Sequence, residues 1–311
     1  MERRAKIAVV GSINMDLVVT ADKFPVPGET IMGETFAMIP GGKGANQAVA
    51  AARLNADVSM IGCVGDDLFG EKLIGQLRSE RIDASFVKIE PGATTGVALI
   101  QVQEGGENSI VVVPGANALV TPEHVREAEA AIRGADVLLV QLEIPLPAVE
   151  AALRIAREHG VRAILNPAPA RKLPPELIRL ADVMTPNETE AAILATGTVE
   201  GAGSLEERID ALRRLAPDAS LLVTAGENGV RTAIFGERAS YPAYRVDVVD
   251  TTAAGDSFNA GVAVRWGEGA DLDEAVRFGS KVGALTVTRF GAQSSLPARE
   301  EVERFEAKTR P

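Results

Sequence analysis

The stretch Asp250-Thr251-Thr252-Ala253-Ala254-Gly255-Asp256-Ser257-Phe258 sets a carboxylate among residues with almost no side chain. It follows an apolar run, Tyr244 to Val249, and Phe258, Val262 and Trp266 then recur at helical spacing. The pattern predicts a strand, a small-residue turn and a helix N-terminus. Ala253, Ala254 and Gly255 leave the first-turn amides bare, and a helix carries roughly +0.5 charge at that end. Such a place attracts an anion, which Asp256 would repel. A carboxylate there has a purpose if it takes the proton from a hydroxyl as that hydroxyl attacks a phosphoryl group. The competing explanation is that Asp256 only complements the helix dipole, an effect of about 0.3–1 kcal/mol.

Two other stretches offer polar groups for a ligand. Gly41-Gly42-Lys43-Gly44-Ala45-Asn46 opens an alanine-rich helix running to about Leu54. Its paired glycines permit unusual backbone angles and close approach, and Lys43 and Asn46 share a helix face. A plain tight turn also accounts for the glycines. The stretch is not a Walker A loop, because Gly44 follows Lys43, and it lacks the third glycine of a dinucleotide fingerprint. In Ile13-Asn14-Met15-Asp16, Asn14 and Asp16 point to one face of an extended segment, where they could hold sugar hydroxyls or simply face solvent.

The elements that position these residues follow a regular order. Lys6–Val10 and Val58–Val64 read as buried strands, the second followed by Gly65-Asp66-Asp67 and a helix to about Glu80. The runs 96–103 and 109–113, joined by Glu104-Gly105-Gly106-Glu107-Asn108, read as a hairpin. With extended segments at 13–20 and 30–39, the hairpin segment 96–113 is expected to form a small separate sheet, a lid that excludes water. From Thr121 onward helix and strand alternate: a helix to Arg133, strand 136–141 with Glu143 just past its end, helix 147–159, and strands 161–165, 182–184 and 221–224. Polar or glycine residues cluster where these strands end, the edge at which open α/β sheets bind ligands. Asn187 and Glu190 stand three apart at a helix start, where Asn187 could be an N-cap and the carboxylate of Glu190 suits magnesium held mostly through water and phosphate oxygens. The expectation is one α/β domain over residues 1–311, a doubly wound, mostly parallel sheet flanked by helices, with the small β lid.

Composition excludes several classes. The net charge is −11 with no basic block, which argues against nucleic acid or an anionic membrane as partner. Cys63, the single cysteine, lies in an apolar run and reads as a core residue; one cysteine forms no internal disulfide, which fits a reducing cytoplasm. The start, Met1 to Lys6, is charged and leads into a strand, with no apolar signal region and no bilayer-spanning stretch. His124 and His159 are the only histidines, and neither has the neighbours for a zinc site or a hydrolase triad.

Taken together, Ser12-Ile13-Asn14-Met15-Asp16, Gly41 to Ala48, Gln141-Leu142-Glu143, Asn187-Glu188-Thr189-Glu190 and Asp250 to Asn259 resemble the ribokinase-like sugar kinases over nearly the whole chain. The resemblance implies transfer of the ATP γ-phosphoryl group to O5 of ribose. It assigns the sugar to Asn14, Asp16, Gly42, Lys43, Asn46 and Glu143, the base to Asp256, and the anion hole to Ala253, Ala254 and Gly255. Asn187, Thr224, Gly226, Gly229 and Gly255 fall on the nucleotide side, with Glu190 reaching Mg2+ through water. The family's Phe-Ala-Asn-Ala run near adenine is here Phe278-Gly279-Ser280-Lys281, so that contact would fall to Ser280. A potassium ion is implied behind the anion hole, at Asp250, Thr252, Thr286, Arg289, Gly291 and Ser295, mostly through main-chain carbonyls; one carboxylate with carbonyls suits such an ion better than a transition metal. The family's lid often pairs two subunits, implying a homodimer. Rival readings are a family member acting on a nucleoside, a ketohexose or a deoxy sugar, a Rossmann oxidoreductase, and a sugar-binding regulator without catalysis. The missing fingerprint argues against the oxidoreductase, and the intact Gly255-Asp256 against the regulator.

Overall fold

Apolar runs rich in valine, isoleucine and leucine become strands, and the longer periodic segments become the helices between them. The computed structural model describes residues 3–103, 105, 107–199 and 203–306; Met1 and Glu2 of the charged start and Glu104 and Gly106 of the hairpin turn lie outside them. In chain order the first half contains β1 (Lys6–Val10), β2 (Asn14–Ala21), β3 (Thr35–Gly41), α1 (Lys43–Arg53), β4 (Asp57–Gly65), α2 (Leu68–Ser79), β5 (Asp83–Glu90), β6 (Gly96–Gln103), β7 (Asn108–Val113), α3 (Pro122–Glu127), α4 (Glu129–Arg133), β8 (Val137–Val140) and α5 (Leu146–Glu158). The second half contains β9 (Arg162–Leu165), α6 (Pro175–Ile178), β10 (Val183–Met184), α7 (Glu188–Thr196), α8 (Leu205–Leu215), β11 (Ser220–Thr224), β12 (Val230–Ile234), β13 (Glu237–Tyr241), α9 (Ala254–Gly267), α10 (Leu272–Thr286) and α11 (Arg299–Arg304).

The strands make two sheets. The larger has nine strands in the order β13-β12-β11-β10-β9-β8-β1-β4-β5, and the smaller has four in the order β3-β2-β6-β7. From β11 to β5 the large sheet is parallel; β12 and β13 add an antiparallel edge. Alternate residues of β1 feed opposite cores. Ile7 and Val9 pack with α1, α9 and α10, while Ala8 and Val10 pack with α3 and α5. The chain leaves β1 toward β4 on one side and reaches β8 on the other. The topological switch therefore lies between β1 and β8, and a crevice opens at their C-terminal ends.

Some sequence expectations need correction. The extended segment expected at 30–39 is strand only from Thr35 to Gly41, because β2 ends at Ala21 and Thr20 opposite Thr35 is the last pair of the ladder. The run Tyr244 to Val249 joins no sheet. Val249 instead donates to the main-chain oxygen of Val287 at the end of α10 (2.8 Å), and the side chains of Val248 and Val249 are exposed. The helix expected from Thr121 to Arg133 breaks into α3 and α4 at Ala128, where the ladder tightens to a bond with Val125 (3.1 Å). β5 has no counterpart in the expectations; its buried residues Ala84 and Val87 stand three apart, and its pairing with β4 shifts register between Ser59 and Ile61, so no alternation marks it. Cys63 is buried in β4, and burial pushes its thiol up to about 11, which fits an inert core residue. Among the described residues, no helix is long and apolar enough to cross a membrane.

Candidate active site

The crevice between β1 and β8 gathers residues from distant parts of the chain. At the end of β1, the Ser12 hydroxyl donates to Glu143 Oε2 (2.5 Å), and Glu143 stands past the end of β8. The same carboxylate oxygen accepts the main-chain N–H of Lys43, the first residue of α1 (3.1 Å). One turn on, Asn46 Nδ2 donates to Asp256 Oδ2 (3.0 Å), joining α1 to the first turn of α9. Asn14 and Asp16 enter from β2 of the small sheet; both are buried, so they do not form a solvent-facing strand surface. Asn46 Oδ1 is buried without a partner, an acceptor left open for a ligand hydroxyl.

The glycines have specific tasks. Gly42 has φ +87°, and a Cβ there would lie 2.7 Å from the main-chain nitrogen of Asn14. The missing Cβ thus lets α1 begin against the β1–β2 connection. Gly255 is the opposite case, since a Cβ built on it meets nothing within 4 Å. At the start of α9 the N–H of Ala254 donates to the main-chain oxygen of Thr251 (3.2 Å), while those of Gly255 and Asp256 lack intrahelical partners. Ala253 caps the helix in the left-handed region (φ 60°), an uncommon conformation for a residue with a Cβ.

Charge in the crevice is dense. Burial, with Glu143 and Asp256 nearby, raises the Asp16 carboxyl to about 7, against a partial counter-effect from Lys43. Burial alone would lower the Lys43 ammonium, but the carboxylates of Asp256, Glu143, Glu190 and Asp16 hold it above its ordinary value. Because the folded Asp16 binds its proton more tightly than the unfolded one, it contributes stability that is full below about pH 4 and lost as pH rises through about 7. Replacing Asp16 with Asn is therefore expected to raise the thermal midpoint at pH 8, by an amount on the order of a few kcal/mol in stability, and to lose that advantage toward pH 4. Parallel midpoint-against-pH curves for the two proteins would refute this.

The nucleotide-side residues lie along the neighbouring strand ends. Asn187 and Glu190 form a reciprocal capping box on α7, each main-chain N–H bonded to the other's side chain at 2.8 Å. Asn187 is thus an N-cap, and it also bridges to Thr224 at the end of β11. Burial raises the Glu190 carboxyl, and one of its oxygens is left outside the box. Among the described residues, no group of three or more His, Cys, Asp or Glu is arranged around a metal. A lone carboxylate with a spare oxygen fits magnesium carried mainly by phosphate and water. Gly226 and Gly229 shape the turn after β11, and Ala225 donates to the main-chain oxygen of Gly229 (2.8 Å). Ser280 lies on α10 with its hydroxyl donating to Val276 (2.8 Å), and no hydrogen bond among the described residues links it to Thr224 or Gly226.

Behind α9, Asp250 Oδ1 accepts from Thr252 (main chain 2.9 Å, hydroxyl 2.6 Å), and Asp250 Oδ2 accepts from Gly291 (2.9 Å). These bonds outweigh burial and hold the carboxyl below its ordinary value. Thr286 touches Ser257 of α9 (2.8 Å), while Ser295 bonds within its own loop (2.7 Å). The side chain of Arg289 turns away to Glu301, so only its main chain remains for an ion. Asp250 is thus a carboxylate fixed by three donors in this region.

Sequence reasoning missed several polar side chains. Asn117 holds Asn14 in place, donating to Asn14 Oδ1 (2.7 Å) and to the main-chain oxygen of Ile13 (3.1 Å), and accepting from the N–H of Ile13 (2.9 Å). Gln47, Asn166 and Asn259 are buried beside Asp256 or its helix. For Asn117 and Asn166 the available signal was polarity inside apolar runs, while Gln47 and Asn259 lie within the stretches that carry the family resemblance. A groove of about 340 Å³ at the opposite edge of the large sheet, lined by Lys6, Asp57, Arg81 and Asp83 among others, includes none of the site residues.

Residues 4–299 match the pfkB family carbohydrate kinase. The chain belongs to that family. It is 44% identical over 297 residues to the ribokinase of Bacillus subtilis (strain 168), covering 96% of this chain and 98% of that one. A deoxyribokinase of Salmonella typhimurium is 37% identical over 303 residues, covering 96% and 98%. The structure of Arabidopsis thaliana ribokinase complexed with ribose and ATP superposes with a TM-score of 0.88 at 32% identity, covering 98% of this chain and 100% of that one.

Proposed function

We propose that the protein transfers the γ-phosphoryl group of ATP to O5 of ribose, with Asp256 as general base. The observation that carries this is the placement of Asp256: a buried carboxylate in the first turn of α9, bonded to Asn46 and next to the open space at Gly255. In the reaction the O5 proton passes to Asp256, the O5–phosphorus bond forms as the bond from the γ-phosphorus to the bridging oxygen breaks, and ADP leaves. The unpartnered Asn46 Oδ1 and the carboxylates of Asp16 and Glu143 suit a small polyol rich in donors, and Asn14 adds a further polar contact. The first-turn amides of α9, with Ala253 and Ala254 setting the turn, and the Lys43 ammonium face the charge that grows on the transferred group. Glu190 would hold magnesium through water, which when bound neutralises phosphate charge. Asp250, with main-chain oxygens of Thr252, Thr286, Arg289 and Gly291 and the Ser295 loop, would hold potassium, whose field supports the same turn.

A coupled ADP-release assay tests the substrate and the ion together. Ribose is expected to give the highest kcat/KM in a panel with 2-deoxyribose, a ketohexose and adenosine, by at least about tenfold over the deoxy sugar, since a missing hydroxyl leaves buried polar groups unpaired. Replacing potassium with a bulky organic cation is expected to reduce the ribose rate several-fold. Equal rates on ribose and adenosine would overturn the substrate reading, and indifference to the cation would remove the potassium site.

The small sheet serves in this reading as a lid, because β2 carries Asn14 and Asp16 into the crevice. It also pairs two subunits, as supported by Ile110, Val111, Val112 and Val113 of its edge strand, all at least 44% exposed. Light scattering is expected to return twice the 32.6 kDa of one chain, and a monomer would refute the pairing. The single cysteine suits a reducing cytoplasm.

A further inference from the structure

Asp256 rests on a chain of buried amides for which substrate binding supplies no reason. Gln47, next to Asn46 on α1, is fully buried. Its Nε2 donates to Asp256 Oδ1 and to Asn166 Oδ1, both at 3.1 Å, and its Oε1 accepts from Gln141 Nε2 at 2.7 Å. Asn166 Nδ2 in turn donates to the main-chain oxygen of Thr185 at 3.2 Å. These groups, four side chains and the main-chain oxygen of Thr185, come from α1, from α9 and from the loops past β8, β9 and β10, so the network spans the floor of the crevice.

The direction of the chain is set by the main chain. The oxygen of Thr185 can only accept, so Asn166 must turn its amino group toward it and leave Oδ1 facing Gln47. Gln47 must then present its own amino group on that side, where Asp256 Oδ1 also stands. A reversed Gln47 would press its carbonyl oxygen against a carboxylate and against Asn166 Oδ1, away from water, where such a pairing is costly. A helix residue chosen only for packing would need none of this; leucine or methionine would fill the same volume.

We propose that Gln47 is a positioning residue for phosphoryl transfer, holding the plane of the Asp256 carboxylate so that its outward lone pairs meet the O5 hydroxyl of the sugar. The inference rests on Asp256 being the base. Asn166 and Gln141 act through Gln47 by fixing which way its amide points.

The test uses the full-length protein with ribose, ATP, magnesium and potassium. Gln47→Met keeps the length of the side chain and removes all three of its hydrogen bonds. Its kcat is expected to fall about 10–100-fold with the KM for ribose within about threefold, because the sugar contacts remain while the base is misaligned. Gln47→Glu keeps the shape and sets a second carboxylate against Asp256. The acid limb of its kcat/KM profile is expected to move up by about one pH unit or more, since adjacent carboxylates do not both ionise readily. A role in packing alone would not move that limb. The inference is overturned if Gln47→Met keeps kcat within about twofold, if its loss is matched by an equal rise in KM, or if the acid limb of Gln47→Glu coincides with that of the parent. Should Gln47→Met fail to fold, the near-isosteric Gln47→Glu carries the test by its pH profile. An active Asp256→Asn protein would instead remove the base reading itself. An inactive Asp256→Asn beside unchanged Gln47 variants would remove only the positioning role.

Discussion

Replacing Asp256 with Asn is expected to lower kcat by about 10²–10⁴ while the KM values for ribose and ATP stay within about threefold. The two explanations for a carboxylate in a helix first turn differ sharply in magnitude here. If Asp256 only complemented the dipole of α9, its loss would remove about 0.3–1 kcal/mol of stability and leave turnover alone. A hundredfold fall in kcat corresponds to about 2.7 kcal/mol in the transition state, well beyond that effect. The surroundings of Asp256 favour the catalytic account. The residue is only 6% exposed, and its two oxygens accept from Asn46 and Gln47 (3.0 and 3.1 Å) rather than facing water. Asparagine keeps the size but must turn an amino group toward one of those donors, so some loss of stability is expected as well. Thermal unfolding alongside steady-state kinetics separates the two effects. Near-parental turnover in a variant that binds both substrates would sink the assignment.

The second large effect is expected at Gly255. Gly255→Ala places a methyl group in space that is open to 4 Å in the folded protein, on a residue inside helix α9. Nothing in the fold resists the change, and alanine favours a helix over glycine by up to about 1 kcal/mol. Stability is therefore expected to hold or rise. Activity is expected to fall about 10²–10³-fold, because the methyl group stands where phosphoryl oxygens must reach the bare amides. A rise in thermal midpoint together with a fall in kcat has no explanation in misfolding. If Gly255→Ala keeps its rate within about threefold, the turn is only a helix cap, and the phosphate must be stabilised elsewhere, by Lys43 or by magnesium at Glu190.

What the residue order determined by itself was local chemistry and local periodicity. β1, α1 and the start of α9 were legible because their signals lie within a few residues: an apolar run, a glycine pair, a small-residue turn ahead of a helical repeat. The polar residues expected to meet the sugar could be named for the same reason, each standing where a strand or helix begins or ends. Short-range signals also misled. Tyr244 to Val249 has the composition of a strand, yet no partner strand reaches it, and strand structure depends on a partner elsewhere in the chain. The boundary of β3 moved for the same reason, since a ladder ends where its neighbour ends. Only the tertiary structure decided that Asn46 and Gln47, some 210 residues before Asp256, hold its two oxygens, and that Ser12 meets Glu143 across the crevice. Buried polar side chains such as Gln47, Asn117 and Asn166 carry no periodic mark, because what specifies them is the partner each one satisfies. Those partners come together only when β1 and β8 lie side by side and α1 packs against α9.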